Sequence, residues 1–110
     1  MGCEIIRDRK VKLNEGQKLL LLYKISGFPF GDGAPDMLMD FIDEGGQRLV
    51  RFSKLDSAGR PNGKPKQWGL SELHNSGNGL ADFAKSMGID HQTPGAFLAR
   101  FIEDKAKQIR

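Results

Sequence analysis

DMLMDFIDEGGQRLVRFS, residues 36–53, is the stretch whose reading decides the fold. Two runs of mixed apolar and charged residues flank Gly45-Gly46, and a Gly-Gly pair supplies the positive φ angles that a two-residue hairpin turn requires. With those glycines as the loop, Met39 faces Phe52, Phe41 faces Val50, Ile42 faces Leu49, Asp40 faces Arg51 and Asp43 faces Arg48. A three-residue loop would set acids against Gln47 and Val50 instead. Opposite charges across a strand pair contribute roughly 0.2–1 kcal/mol each, so the charge pairing selects the tighter turn.

Upstream, residues 4–12 (EIIRDRKVK) alternate loosely between β-branched and charged side chains, which predicts a first strand ended by the turn chemistry of Leu13-Asn14-Glu15-Gly16. Residues 18–26 (KLLLLYKIS) are apolar at nearly every position. That pattern predicts a strand buried on both faces, with Leu19, Leu21, Tyr23 and Ile25 on one side and Leu20 and Leu22 on the other. A helix is the competing reading, but the run is short and bounded by glycine. Residues 27–35 (GFPFGDGAP) are a loop on which Phe28 and Phe30 either fold back as pegs or wait for a base or a protein partner.

Downstream, residues 56–66 (DSAGRPNGKPK) contain turn residues and cations but no Leu, Ile, Val or Phe. This predicts a mobile, exposed basic loop ending at Gln67-Trp68, with Trp68 anchoring the chain to the body. The period then becomes helical. One turn is expected at residues 70–74 from the Ser71 region, and a helix over residues 80–87 that closes at Gly88. A longer helix starts at Thr93-Pro94 with Phe97, Leu98, Phe101, Ile102, Lys105 and Ile109 on one face, and Lys105, Lys107 and Arg110 complement its negative end. The fold class is therefore α+β, a single domain over residues 1–110. An antiparallel sheet of four or five strands in residues 4–70, with a partly closed OB-like barrel as a sub-option, is covered by two helices within residues 78–110.

The chain has 110 residues, 38% hydrophobic and 28% charged, values of a soluble globular domain. Cys3 is the only cysteine, which excludes an internal disulfide and a cysteine-based zinc site and makes a reducing, cytoplasmic compartment the default. Leu19 to Tyr23 is the longest apolar run, far short of the ~20 residues of a membrane span, so no membrane partner is expected. Ile6 stands where an acylation signal beginning at Met1-Gly2 needs Ser or Thr, so the start reads as an ordinary N-terminus without a signal peptide.

Catalytic patterns are missing. His74 and His91 stand on separate segments, Ser71, Ser76 and Asp82 show no nucleophile-elbow spacing, and Asp32 and Asp36 lack the spacing of a calcium loop. The glycines between Gly27 and Gly33 lead into a strand rather than a helix, the wrong context for cradling phosphate. A helix-turn-helix over residues 80–102 fails because Pro94 falls inside its second helix. No enzyme activity, cofactor or metal is expected.

The net charge is only +3, but it is segregated. Arg7, Arg9, Lys10 and Lys12 form one basic cluster, and Arg48, Arg51, Lys54, Arg60, Lys64 and Lys66 form another leading to Trp68. Cations that reach phosphates beside a ring that stacks bases are the requirements of a nucleic-acid surface. The leading expectation is a non-catalytic accessory protein that binds single-stranded or structured nucleic acid, DNA included, through these residues. Asp40 and Asp43 would neutralise two of the arginines. The alternative is a protein-interaction module, a small inhibitor or adaptor such as those of mobile elements. It would dimerise or dock on a larger protein through Phe28 and Phe30.

Overall fold

The chain folds as β1 (Gly2–Ile5), β2 (Gln17–Ser26), β3 (Met37–Glu44), β4 (Gln47–Leu55), β5 (Pro61–Gly69), a 3-10 turn at Leu70–Glu72, α1 (Leu80–Ser86) and α2 (Pro94–Ala106). This computed structural model describes residues 2–109, so the readings made at Met1 and Arg110 fall outside the described residues. The strands form one antiparallel sheet in the order β1-β2-β3-β4-β5, a simple meander. β1 and β5 are its two ends and do not pair, so the sheet is open and the OB-like option is set aside.

The central hairpin has the expected register: Met39 pairs with Phe52, Asp40 with Arg51, Phe41 with Val50, Ile42 with Leu49 and Asp43 with Arg48. Gly45 and Gly46 take φ of 62° and 88°, the left-handed pair that matches the twist of the flanking strands. Alternation then divides the side chains. Met37, Met39, Phe41, Val50 and Phe52 join Tyr23 and Ile25 beneath the helices, where Leu80, Phe83, Leu98 and Ile102 complete the main core. Leu22, Leu38 and Leu55 gather on the second face.

Residues 6–16, which the sequence reads largely as strand, are instead an irregular strap over that second face. β1 ends at Ile5, and Ile6 and Val11 pack on the Leu22, Leu38 and Leu55 cluster. β2 is buried on both sides as expected, but a bulge between Leu19 and Leu21 moves Leu19 to the second face, because one extra residue inverts the alternation beyond it.

The largest departure is β5. Residues 61–66, read as a mobile loop, pair with β4, and Leu55 opposes Pro61, Lys54 opposes Asn62, and Phe52 opposes Lys66. Only backbone bonds to one neighbour are needed at an edge, so a strand forms there without apolar side chains; its Pro and Lys content is that of a protected edge.

α1 ends as expected. Gly88 has φ 85°, and its N–H donates to the Lys85 carbonyl while the Ile89 N–H reaches the Ala84 carbonyl at 3.0 Å, the double bond of a Schellman cap. Thr93 precedes α2 as read, but its side chain makes no capping bond. The 3-10 turn is preceded by Gly69 rather than started by Ser71. The two helices approach closely at Gly95, where a Cβ would stand 2.9 Å from that of Ala81.

Candidate nucleic-acid interface

The cations singled out on β4 and β5 divide into three situations. Arg51 is buried on the second face, its Nε donating to Asp40 Oδ1 at 2.9 Å and its Nη2 to Asp40 Oδ2 at 2.7 Å. This bidentate pair occupies the guanidinium, so Arg51 is removed from the expected contact surface. Trp68 is removed as well. It is 9% exposed, packs on Phe52 and Phe83, and donates its Nε1–H to the Asn78 carbonyl at 2.9 Å. The ring anchors the chain to the body, as read, and offers no face to a base. Arg48 is exposed but stands at the Gly45-Gly46 end of β4 opposite Asp43, which also opposes Lys18 of β2.

Lys54, Arg60, Lys64 and Lys66 are exposed on the half of the β4–β5 hairpin nearer its turn; Lys54 and Lys66 stand opposite Met37 and Phe52, on the face that carries the helices, whereas the strap crosses the other face. The turn that joins β4 to β5 is built by Asp56, whose Oδ1 accepts the Ala58 and Arg60 N–H groups at 3.0 and 2.9 Å. That carboxylate shapes the loop presenting Arg60. Beyond it, Lys54 opposes Asn62 whereas Phe52 opposes Lys66, so Gly63, Lys64 and Pro65 form a bulge against Ser53 alone. Gly63 takes φ 81° within it.

One bond joins this corner to the strap: Arg9 Nη2 donates to the Gly59 carbonyl at 2.7 Å. Arg9, 50 residues away in sequence, is thereby docked against the β4–β5 turn. Arg7, Lys10 and Lys12 are exposed beside Arg9. Among the described residues the ion pairs are Asp40–Arg51 and His74–Glu103, so the cations of the strap and the turn carry no carboxylate partner. No signal in the sequence announced the Arg9–Gly59 bond, because the partner is a backbone carbonyl on a distant turn.

A groove runs along β5 and α1, bordered by Lys66, Trp68, Asp82 and Phe83, and a second lies beside β1, bordered by Arg7, Leu20 and Gln108. Neither gathers the other cations of the corner.

The two aromatic residues of the β2–β3 loop part company. Phe30 is 5% exposed and packs edge-on against Phe52 and Phe83, a core peg, which withdraws it from the expected partner surface. Phe28 is 62% exposed and sits edge-on to Phe97 and Phe101 of α2, with His91 stacked on Phe97 at 4.7 Å. His74 bonds Glu103 at 3.0 Å, and His91 Nδ1 accepts the Thr93 N–H at 3.1 Å. Among the described residues no group of three His, Cys, Asp or Glu side chains is placed to hold a metal ion, and no helix is long and apolar enough to cross a membrane. No family model, curated protein or solved structure matches the chain.

Proposed function

We propose that this protein binds nucleic acid without catalysis, through the basic corner formed by the strap and the β4–β5 turn. The observation that carries the reading is the Arg9–Gly59 bond, which ties the strap at Arg9 to the turn that presents Arg60. Exposed cations without a carboxylate partner, spread over a strap and a turn, favour a long polyanion over a small nucleotide, because a small ligand needs an enclosing cleft to bury its surface.

Anisotropy of a labelled oligonucleotide tests this directly. Binding is expected at about 50 mM salt and falls steeply by about 200 mM, as phosphate neutralisation requires. Lys64→Glu/Lys66→Glu abolishes it while circular dichroism stays unchanged. No binding at micromolar protein and about 50 mM salt removes the reading.

The exposed ring of Phe28 against Phe97 and Phe101 favours a second reading, self-association through that aromatic surface. Sedimentation decides it. A dimer that Phe28→Ser converts to monomer supports it, and a monomer at all concentrations ends it.

A further inference from the structure

We infer that Asn62 is a site of spontaneous modification, losing its side-chain amide to give aspartate and isoaspartate and so adding a carboxylate to β5. The reaction needs only water. The backbone nitrogen of the following residue gives up its proton and attacks the side-chain carbonyl carbon; the new C–N bond closes a cyclic imide as ammonia leaves. Water then opens the ring at either of its carbonyls. Attack is easiest where the following residue is glycine, which has no Cβ to crowd the nitrogen and whose backbone turns freely.

Two asparagines precede glycine, at Asn62-Gly63 and Asn78-Gly79, and the structure separates them. Asn78 is half-buried, and its amide is held at both ends: Oδ1 accepts the Leu80 N–H at 2.9 Å and Nδ2 donates to the Glu72 carbonyl. Its backbone is held too. The Asn78 N–H donates to the Asn75 carbonyl at 3.3 Å, and the Asn78 carbonyl accepts the Trp68 Nε1–H at 2.9 Å. Swinging this amide onto the Gly79 nitrogen would break the bonds that join the 3-10 turn to the start of α1.

Asn62 stands in the opposite situation. It is exposed, on a strand that ends the sheet. The regular register stops at its pair with Lys54, and the next pair along is Phe52 with Lys66. Gly63, which supplies the attacking nitrogen, therefore lies in the bulge and takes φ 81°, where the chain has the freedom that ring closure requires. Lys54 stands directly across from Asn62 on the same face, and its ammonium favours first the negative nitrogen and then the new carboxylate.

The test ages the folded protein and the protein unfolded in guanidinium chloride side by side in mildly alkaline buffer, and maps both by tryptic peptides. Residues 55–66 come off as one peptide, because proline follows Arg60 and Lys64. In denaturant Asn62 and Asn78 are expected to convert alike. In the folded chain conversion is confined to Asn62, seen as isoaspartate in that peptide and, by isoelectric focusing of the whole chain, as a band one charge below the parent's +3. Asn62→Gln, whose extra methylene enlarges the ring that must close, develops no such band. Asn62 that stays intact in the folded protein, or Asn78 that keeps pace with it there, overturns the inference. Peptide mapping reads this chemistry whether or not oligonucleotide binds.

Discussion

Removing one partner of the Asp40–Arg51 pair separates its structural role from a role in binding. The pair is bidentate, and its side chains are 5% and 10% exposed, so neither charge can turn to water. Arg51→Met strands the Asp40 carboxylate on the second face, and a single deletion of this kind costs about 3–5 kcal/mol. Against a total of roughly 5–15 kcal/mol for a domain, that is a large share. Asp40→Val/Arg51→Met removes both charges and fills similar volume with side chains suited to strands, so most of the loss is recovered, within about 1–2 kcal/mol of the parent. Urea unfolding followed by Trp68 fluorescence measures all four proteins of the cycle. A single Arg51→Met cost below about 1 kcal/mol, the level of an exposed pair, would refute the burial argument. The double variant also retains nucleic-acid affinity, because Arg51 lies outside the basic corner; a tenfold loss would return Arg51 to the binding surface.

The remaining expectations are narrower. Gly46→Ala costs about 1–2 kcal/mol in urea unfolding, because φ of 88° is strained for any residue with a Cβ. Arg9→Ala removes the charge-assisted bond to the Gly59 carbonyl and lowers stability by about 1 kcal/mol for this partly exposed site, with a parallel loss of oligonucleotide affinity if the strap and turn act as one surface. Burial pushes the Tyr23 hydroxyl above its ordinary value of 10.0, and nearby Cys3 and Asp104 push it the same way. The folded form therefore favours the protonated phenol: its stabilising contribution is complete below about pH 10 and is lost as pH rises through the folded value. Tyr23 is the only tyrosine, so tyrosinate absorbance reads it without ambiguity, and Tyr23→Phe should flatten the alkaline fall in stability.

How far the fold was legible follows from where the specifying forces act. The central hairpin could be read to the residue because Gly45-Gly46 and the facing charges Asp40, Arg51, Asp43 and Arg48 are all local, and a slip of one position breaks every pair. The end of α1 at Gly88 and the start of α2 at Thr93-Pro94 were legible for the same reason. β5 was not, since residues 61–66 bury no side chain and are held as a strand by β4 alone. Nor was the strap. Ile6 and Val11 show the same loose alternation as a strand, and only the half-covered face of the sheet decides that they lie across it. Of the expected site residues, Lys54, Arg60, Lys64 and Lys66 are exposed, as their charge implies, whereas burial, which no charge count reports, took Arg51 and Trp68 away.

Beside the proposed phosphate contact, the lysines of β5 have another physical reason to be where they are, and the two can be pulled apart. β5 ends the sheet and leaves a row of backbone groups open to another strand; Pro61, Lys64, Pro65 and Lys66 on it are the residues that discourage such pairing. Edge protection needs charge of either sign, because any buried ion on a joined edge is costly. Phosphate attraction needs positive charge. Lys64→Glu/Lys66→Glu therefore keeps the edge protected and removes the attraction, so the variant stays monodisperse and no longer binds oligonucleotide. Lys64→Thr/Pro65→Val/Lys66→Thr removes both, and it also gains a concentration-dependent increase in mass by light scattering. If the glutamate variant binds as the parent does while the threonine variant associates, edge protection is the whole role of these lysines and the basic corner reduces to the turn and the strap.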